Sequence, residues 1–287
     1  MKKTYMMMAA AMLALSMNAQ DVLNGTVTVG DYDGATAMVE GSYFDSAPTT
    51  FYVAHTGSQM IYTADDLADF TGKSNVKLTK LTYRYHNESF EDMVRDVKVY
   101  VQNIDANAFA VVENVKQFFD FDETNPVLDG EFEYSLLDVY GDDGELEFDL
   151  SNNPVAIEPG KSLLVTVVMD AQDDDNCTES SFDTQFYSSG LRNRAMTFTN
   201  NTVSFLTYKD TEDFPKATAM LGCGTAIDLP VTKIDYTYTE STSTAIEDVK
   251  AANATDGAYY NLMGQKLDGS NLPAGIYIHN GKKYIAK

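Results

Sequence analysis

From about residue 25 to residue 238, apolar and polar side chains alternate with a period of two, and this alternation constrains the fold more than any other property of the chain. Val97, Val99 and Val101 interleave with Lys98, Tyr100 and Gln102, and Leu146, Phe148 and Leu150 with Glu145, Glu147 and Asp149. Side chains alternate across a β-strand, so each segment reads as a strand with one buried and one wet face. Leu81, Tyr83 and Tyr85 repeat the pattern, as do Phe132, Tyr134 and Leu136. Residues 163–169 are instead apolar apart from Thr166, which suits a strand covered on both sides in the middle of a sheet. Turn-forming clusters at 141–144, 151–154 and 158–160 separate these runs at hairpin spacing. The expected fold is all-β, an antiparallel β-sandwich of jelly-roll-like type. Helix is scarce: Thr63 followed by Asp66 has the form of an N-cap for a short turn through 67–70, and 108–119 is the one other helical stretch expected.

Composition narrows the partners. A chain of 287 residues with 44% hydrophobic residues is long and apolar enough to bury a core. Its 43 Asp and Glu against 20 Lys and Arg give a net charge of -23, which repels nucleic-acid phosphate and anionic headgroups, so no nucleic-acid partner is expected. Residues 1–20 have the form of a signal peptide, with Lys2 and Lys3 before a short apolar stretch and small residues up to Ala19. That stretch is about half the length a bilayer-spanning helix needs, so the chain is not expected to span a membrane. Export would place Cys177 and Cys223 in an oxidising compartment, where they are a candidate disulfide; two buried thiols are the alternative. The domain plan is a β-sandwich over 21–240, a Thr-, Ser- and Ala-rich linker over 241–256, and a small β-hairpin module over 257–287.

The charge changes sign in that last module. Residues 261–287 hold Lys266, Lys282, Lys283 and Lys287 against Asp268 alone, which leaves 42 of the 43 acidic residues before them. Asn280-Gly281, between two strand-like runs, is a type I′ hairpin signal, because both residues tolerate positive φ. YYNLMGQKL, PAGIYI and NGKKYIAK, led in by TAIEDVK, together resemble the C-terminal sorting module of type IX secretion cargo in Gram-negative bacteria. The resemblance covers about 45 residues of a shorter copy than the full sorting domain. It implies that the outer-membrane secretion machinery reads Tyr260, Asn261, Leu262, Gly264, Gly275, Tyr277, Gly281, Lys282 and Lys283, and that the protein ends at the cell surface or outside the cell. IYTADDL, LTKLTYRY, VKVYVQN, SLLVTVVMDA and FYSSGLRNRAMTF resemble, more faintly, the jelly-roll-like domains of surface and adhesin-like proteins exported by this route. Those are mostly non-catalytic, which implies adhesion or binding of a glycan or host-protein ligand.

Chemistry in the body is sparse. Asp173, Asp174 and Asp175 concentrate oxygen donors in one loop, and Asp31 with Asp33 does so on a smaller scale; calcium, the single cofactor the sequence leaves open, favours such donors. Three histidines, His55, His86 and His279, stand in no recognisable catalytic motif, and no serine-nucleophile elbow, zinc motif or phosphate loop is present. Asp45-Ser46-Ala47 resembles a bacterial O-glycosylation acceptor, with Ser46 as the site. The reading is an exported, surface-associated or secreted binding or adhesion protein without catalysis. A structural component of the cell envelope and a secreted hydrolase of polysaccharide or peptide are the alternatives.

Overall fold

The computed structural model describes residues 21–39, 46–50, 53–87, 93–134, 141–172, 184–216, 227–240, 258–262, 264–269, 272–279 and 282–286. It is an all-β sandwich followed by a separate small sheet, with the chain dividing into two compact units at residue 240. In the first unit two antiparallel sheets share one core. Sheet 1 is built on β3 (Lys73–Asn87), the longest strand. β13 (Thr232–Glu240) and then β11 (Thr184–Phe186) run along one edge of β3, while β8 (Asp143–Asp149) and β9 (Val155–Ala156) occupy the other. β1 (Leu23–Val29) closes the sheet against β13, with Leu23 opposite Tyr238 and Val29 opposite Thr232.

Sheet 2 has the order β12 (Ala195–Asn200), β2 (His55–Tyr62), β10 (Ser162–Ala171), β4 (Met93–Ile104) and β7 (Leu128–Tyr134). The chain passes repeatedly between the two sheets, as a jelly-roll-like sandwich requires. Alternation decides which residues meet: Leu81, Tyr83, Leu146 and Phe148 from sheet 1 pack with Val97, Val99, Leu163 and Val165 from sheet 2. The Phe132 and Phe148 rings meet edge to face at 6.3 Å across the layers. Polar groups are carried into this core in pairs. Tyr62 donates to the Tyr83 hydroxyl at 3.3 Å, and its oxygen lies 3.0 Å from the Thr232 hydroxyl.

The apolar run in β10 is explained by what covers its second side. Leu164 and Val168 point away from the shared core, into a separate cluster with Ile61, Tyr100, Met196 and Phe198. Over it lies an aromatic cap supplied by two connections, with Phe109, Phe118 and Phe121 from one and Phe205 and Tyr208 from the other. Residues 108–119 contribute to that cap as extended chain, not as the expected helix. β5 (Val111–Val112) and β6 (Val115–Lys116) form a hairpin turned by Glu113 and Asn114, both at positive φ. Three valines in six residues favour strand, and Asn tolerates the left-handed turn. The segment also spaces Phe109, Phe118 and Phe121 to reach the sheet.

Two residues of β2 fasten the cap. The fully buried Gln59 amide donates to the Phe119 carbonyl at 2.8 Å and accepts from its N–H at 2.7 Å, completing what a neighbouring strand would supply. Gly57 lies under Phe205, where a Cβ would come within 2.2 Å of the ring. The second connection holds α1 (Phe205–Lys209), capped by Ser204, whose hydroxyl accepts from the Thr207 N–H at 3.2 Å. The expected turn after Thr63 is a short 3₁₀ helix, Ala68–Phe70, with the Asp66 carboxylate accepting from both the N–H and the hydroxyl of Thr63.

The second unit is a four-stranded antiparallel sheet in the order β15 (Lys266–Leu267), β14 (Tyr259–Tyr260), β16 (Gly275–His279) and β17 (Lys282–Ala286). Tyr259 stacks on His279 at 4.0 Å between ring centres, and Tyr284 meets Tyr259 edge-on at 5.0 Å. His279 pairs with Lys282, so two residues join β16 to β17.

Candidate functional site

The sequence-derived candidates fall in three places. Asp173, Asp174, Asp175, Cys177, Cys223, Gly281 and the linker over 241–256 lie outside the described residues. Ser46 is buried, 9% exposed, so the folded chain leaves little of it for a modifying enzyme to reach.

The tail residues separate into two roles. Asn261 and Gly264 build the β14 to β15 turn: the Gly264 N–H donates to the Asn261 carbonyl at 2.9 Å, Gly264 has a φ of 75°, and the Asn261 side chain brackets Gln265. Tyr277 is buried and donates its hydroxyl to the Pro273 carbonyl at 2.7 Å, and Gly275 lies close to its ring. Tyr260 is half-buried in the sheet. Leu262, Lys282 and Lys283 instead face solvent, as do Ile276 and Ile285, which are paired across β16 and β17. Some of these residues hold the unit together and the others face solvent.

In the body, the outer face of sheet 1 carries a ladder of charge. Lys80 bridges Glu147 at 2.8 Å and Asp235 at 3.7 Å, and Lys233 bridges Glu145 at 3.2 Å while lying 3.9 Å above the Tyr32 ring. Arg84 is its organiser. It pairs with Asp143, stacks 4.3 Å over Tyr187, and donates to the carbonyls of Tyr32 and Asp33 at 2.9 and 3.2 Å. The tyrosines in this array are themselves buried, at 4% for Tyr32 and 7% for Tyr187, so they serve as pillars under the cations and present no open stacking face.

Burial alone would push the carboxyls of Asp143 and Glu145 upward. Hydrogen bonds from Tyr187, Arg84 and His86 to Asp143, and from Tyr32 and Lys233 to Glu145, outweigh it and hold both below the ordinary carboxylate range. Tyr32 is pushed far up, first by burial and then by its bond to Glu145, so its phenol stays protonated and donates at 2.9 Å.

Arg84 thereby fixes the loop that leaves β1, and beside this loop lies a depression of about 440 Å³. One wall is Asp31 to Met38; the other is the 188–192 segment with Asp228. Gly30, at a φ of 80°, brings the walls together: a Cβ there would lie 2.6 Å from that of Ser189. The Ser188 hydroxyl donates to Asp228 at 2.8 Å and accepts from the Gly190 N–H at 2.9 Å, and the Ser188 N–H donates to the Ala37 carbonyl at 2.7 Å. Asp228 is 7% exposed.

Ser188 faces a carboxylate where a nucleophilic serine needs an imidazole or amine base, and none of the lining residues is a histidine or lysine. In the sequence Asp31 stands out only with Asp33 as a small oxygen-donor cluster; nothing there pairs Ser188 with Asp228, because their bond spans 40 positions that include β12 and α1.

On the opposite side of the sandwich, His55 Nδ1 lies 2.9 Å from Asp170, whose carboxyl is raised chiefly by burial, against the pull of His55. Among the described residues no three His, Cys, Asp or Glu side chains converge as a metal site, and no helix is long and apolar enough to cross a membrane. No family model, no curated protein and no solved structure matches this chain.

Proposed function

We propose that this is an exported binding protein of a Gram-negative cell surface or its surroundings, delivered by type IX secretion and without catalytic activity. The C-terminal segment carries the reading. Its three motifs resemble a sorting module, and its outward residues, Leu262, Lys282 and Lys283, are available for recognition while Asn261, Gly264 and Tyr277 fold it. The reversed charge of this segment supports a partner different from that of the acidic body. Binding in the body is supported by the depression beside the loop that Arg84 holds, whose lining mixes Asp31, Ser188, Arg192 and Asp228 with Ala35 and Met38.

Fractionation of the producing cells with the full chain and with residues 257–287 removed tests delivery. The shortened protein is expected to accumulate inside the outer membrane, and unchanged localisation sinks the sorting role. Binding is tested separately, with the purified body against glycans and host matrix proteins. A complete absence of ligand removes that half of the reading.

A further inference from the structure

We propose that the depression between the 31–38 loop and the 188–192 segment is a saccharide site that takes the hydroxyl-bearing end of a neutral glycan. The inference rests on the binding role proposed above and gives it a ligand class.

The argument runs by elimination from the lining. Its volume, about 440 Å³, lies within the ordinary range for small-molecule sites and fits one or two sugar rings. A purely apolar ligand is disfavoured, because it would leave the largely buried Asp228 carboxylate facing it without solvent. An anion meets two carboxylates, Asp31 and Asp228, and a cationic amine meets the exposed Arg192 on the same rim. A divalent cation wants six or more oxygens, whereas among the described residues no third carboxylate joins these two.

A sugar satisfies every wall at once. Vicinal hydroxyls are donors and acceptors together, so they can donate to Asp228 and Asp31 and accept from Arg192. Ala35, Ala37 and Met38 offer an apolar strip for the C–H face of the ring. Ser188 already holds one Asp228 oxygen and Gly34 donates to Asp31 at 3.1 Å, so the acceptors are oriented before a ligand arrives.

The test is a glycan array followed by titration calorimetry of the full chain with the best neutral saccharide. Three variants are compared: Asp228→Asn, Arg192→Ala, and Ala37→Arg, which fills the depression from an exposed position. Binding is expected to fall at least about tenfold in Asp228→Asn and Arg192→Ala, each losing a charge-assisted bond, and to vanish in Ala37→Arg with an unchanged melting temperature. Because Asp228 is buried, Arg192→Ala and Ala37→Arg decide the matter if Asp228→Asn does not fold. Saccharide binding that all folded variants retain overturns the site. Ala37→Arg blocking a peptide or amine ligand while no glycan binds overturns the saccharide class and leaves the binding role standing. Failure of every ligand class to bind the wild-type chain overturns both.

Discussion

The two outer faces of the sandwich are finished in opposite ways. Sheet 2 turns Ile61, Leu164, Val168 and Phe198 outward and covers them with an aromatic cap drawn from two connections. Sheet 1 turns Lys80, Arg84, Glu145 and Glu147 outward, where among the described residues cross-strand ion pairs and the neighbouring Tyr32 and Tyr187 hold them. An antiparallel sheet can tolerate water on one side, so the wet face has no need of a cover. The contrast separates the face that carries stability from the face beside the proposed site. The capped face is held by burial and is locked; the wet face is held by exposed charge pairs, each worth little, and is free to carry a site at its end.

The largest effect expected from breaking this contrast is at Phe205, which is fully buried and meets the Phe118, Phe121 and Phe198 rings. Phe205→Ala should cost about 3–5 kcal/mol in urea unfolding, whereas Lys80→Met on the wet face should cost less than about 1 kcal/mol. Equal losses would show that the two faces do not differ as described.

The cap's fastening gives the next effect. Gln59→Leu leaves the N–H and carbonyl of Phe119 without their buried partners and should destabilise by about 1–3 kcal/mol, with the Phe119 amide losing protection from hydrogen exchange ahead of the core strands. Uniform loss of protection would mean that the cap is not a separable layer.

Acid gives the smallest and most discriminating effect. Asp143 and Glu145 have carboxyls lowered in the fold, so the stability they contribute is present above the ordinary carboxylate value, about 4, and is lost as pH falls through their lower folded values. Asp170, on the capped side, is raised and works in the opposite sense. Its contribution is present below the ordinary value and is lost as pH rises through the folded one. Asp143→Asn should therefore flatten the fall of stability in acid, and Asp170→Asn should steepen it. The same response from both variants would erase the electrostatic difference between the faces.

Much of this fold is legible in the sequence because a period of two is a direct imprint of one-sided burial. Leu146, Phe148 and Leu150 announce their face with no knowledge of their partners, and the run of β10, apolar from 163 to 169 apart from Thr166, announces that it has two. The cap was not legible. Residues 108–119 mix valines with spaced phenylalanines, and what selects a hairpin is the sheet surface those rings must reach, which belongs to strands far along the chain. The depression was hidden for a related reason. Asp31 and Asp228 lie 197 positions apart, and only the pairing of β1 with β13, with Gly30 closing the gap at its end, brings their loops to one place.

The pairing of β1 with β13 also has a mechanical meaning. Because the strands are antiparallel and Leu23 lies beside Tyr238, the chain enters and leaves the sandwich at neighbouring points of one sheet edge. A force applied between those points loads the seven residue pairs in succession, peeling them apart instead of shearing them together. The body is thus built like a zip fastener with both tabs at one end, and a pull on its own ends opens it pair by pair. A chain drawn apart by its two ends would open there first.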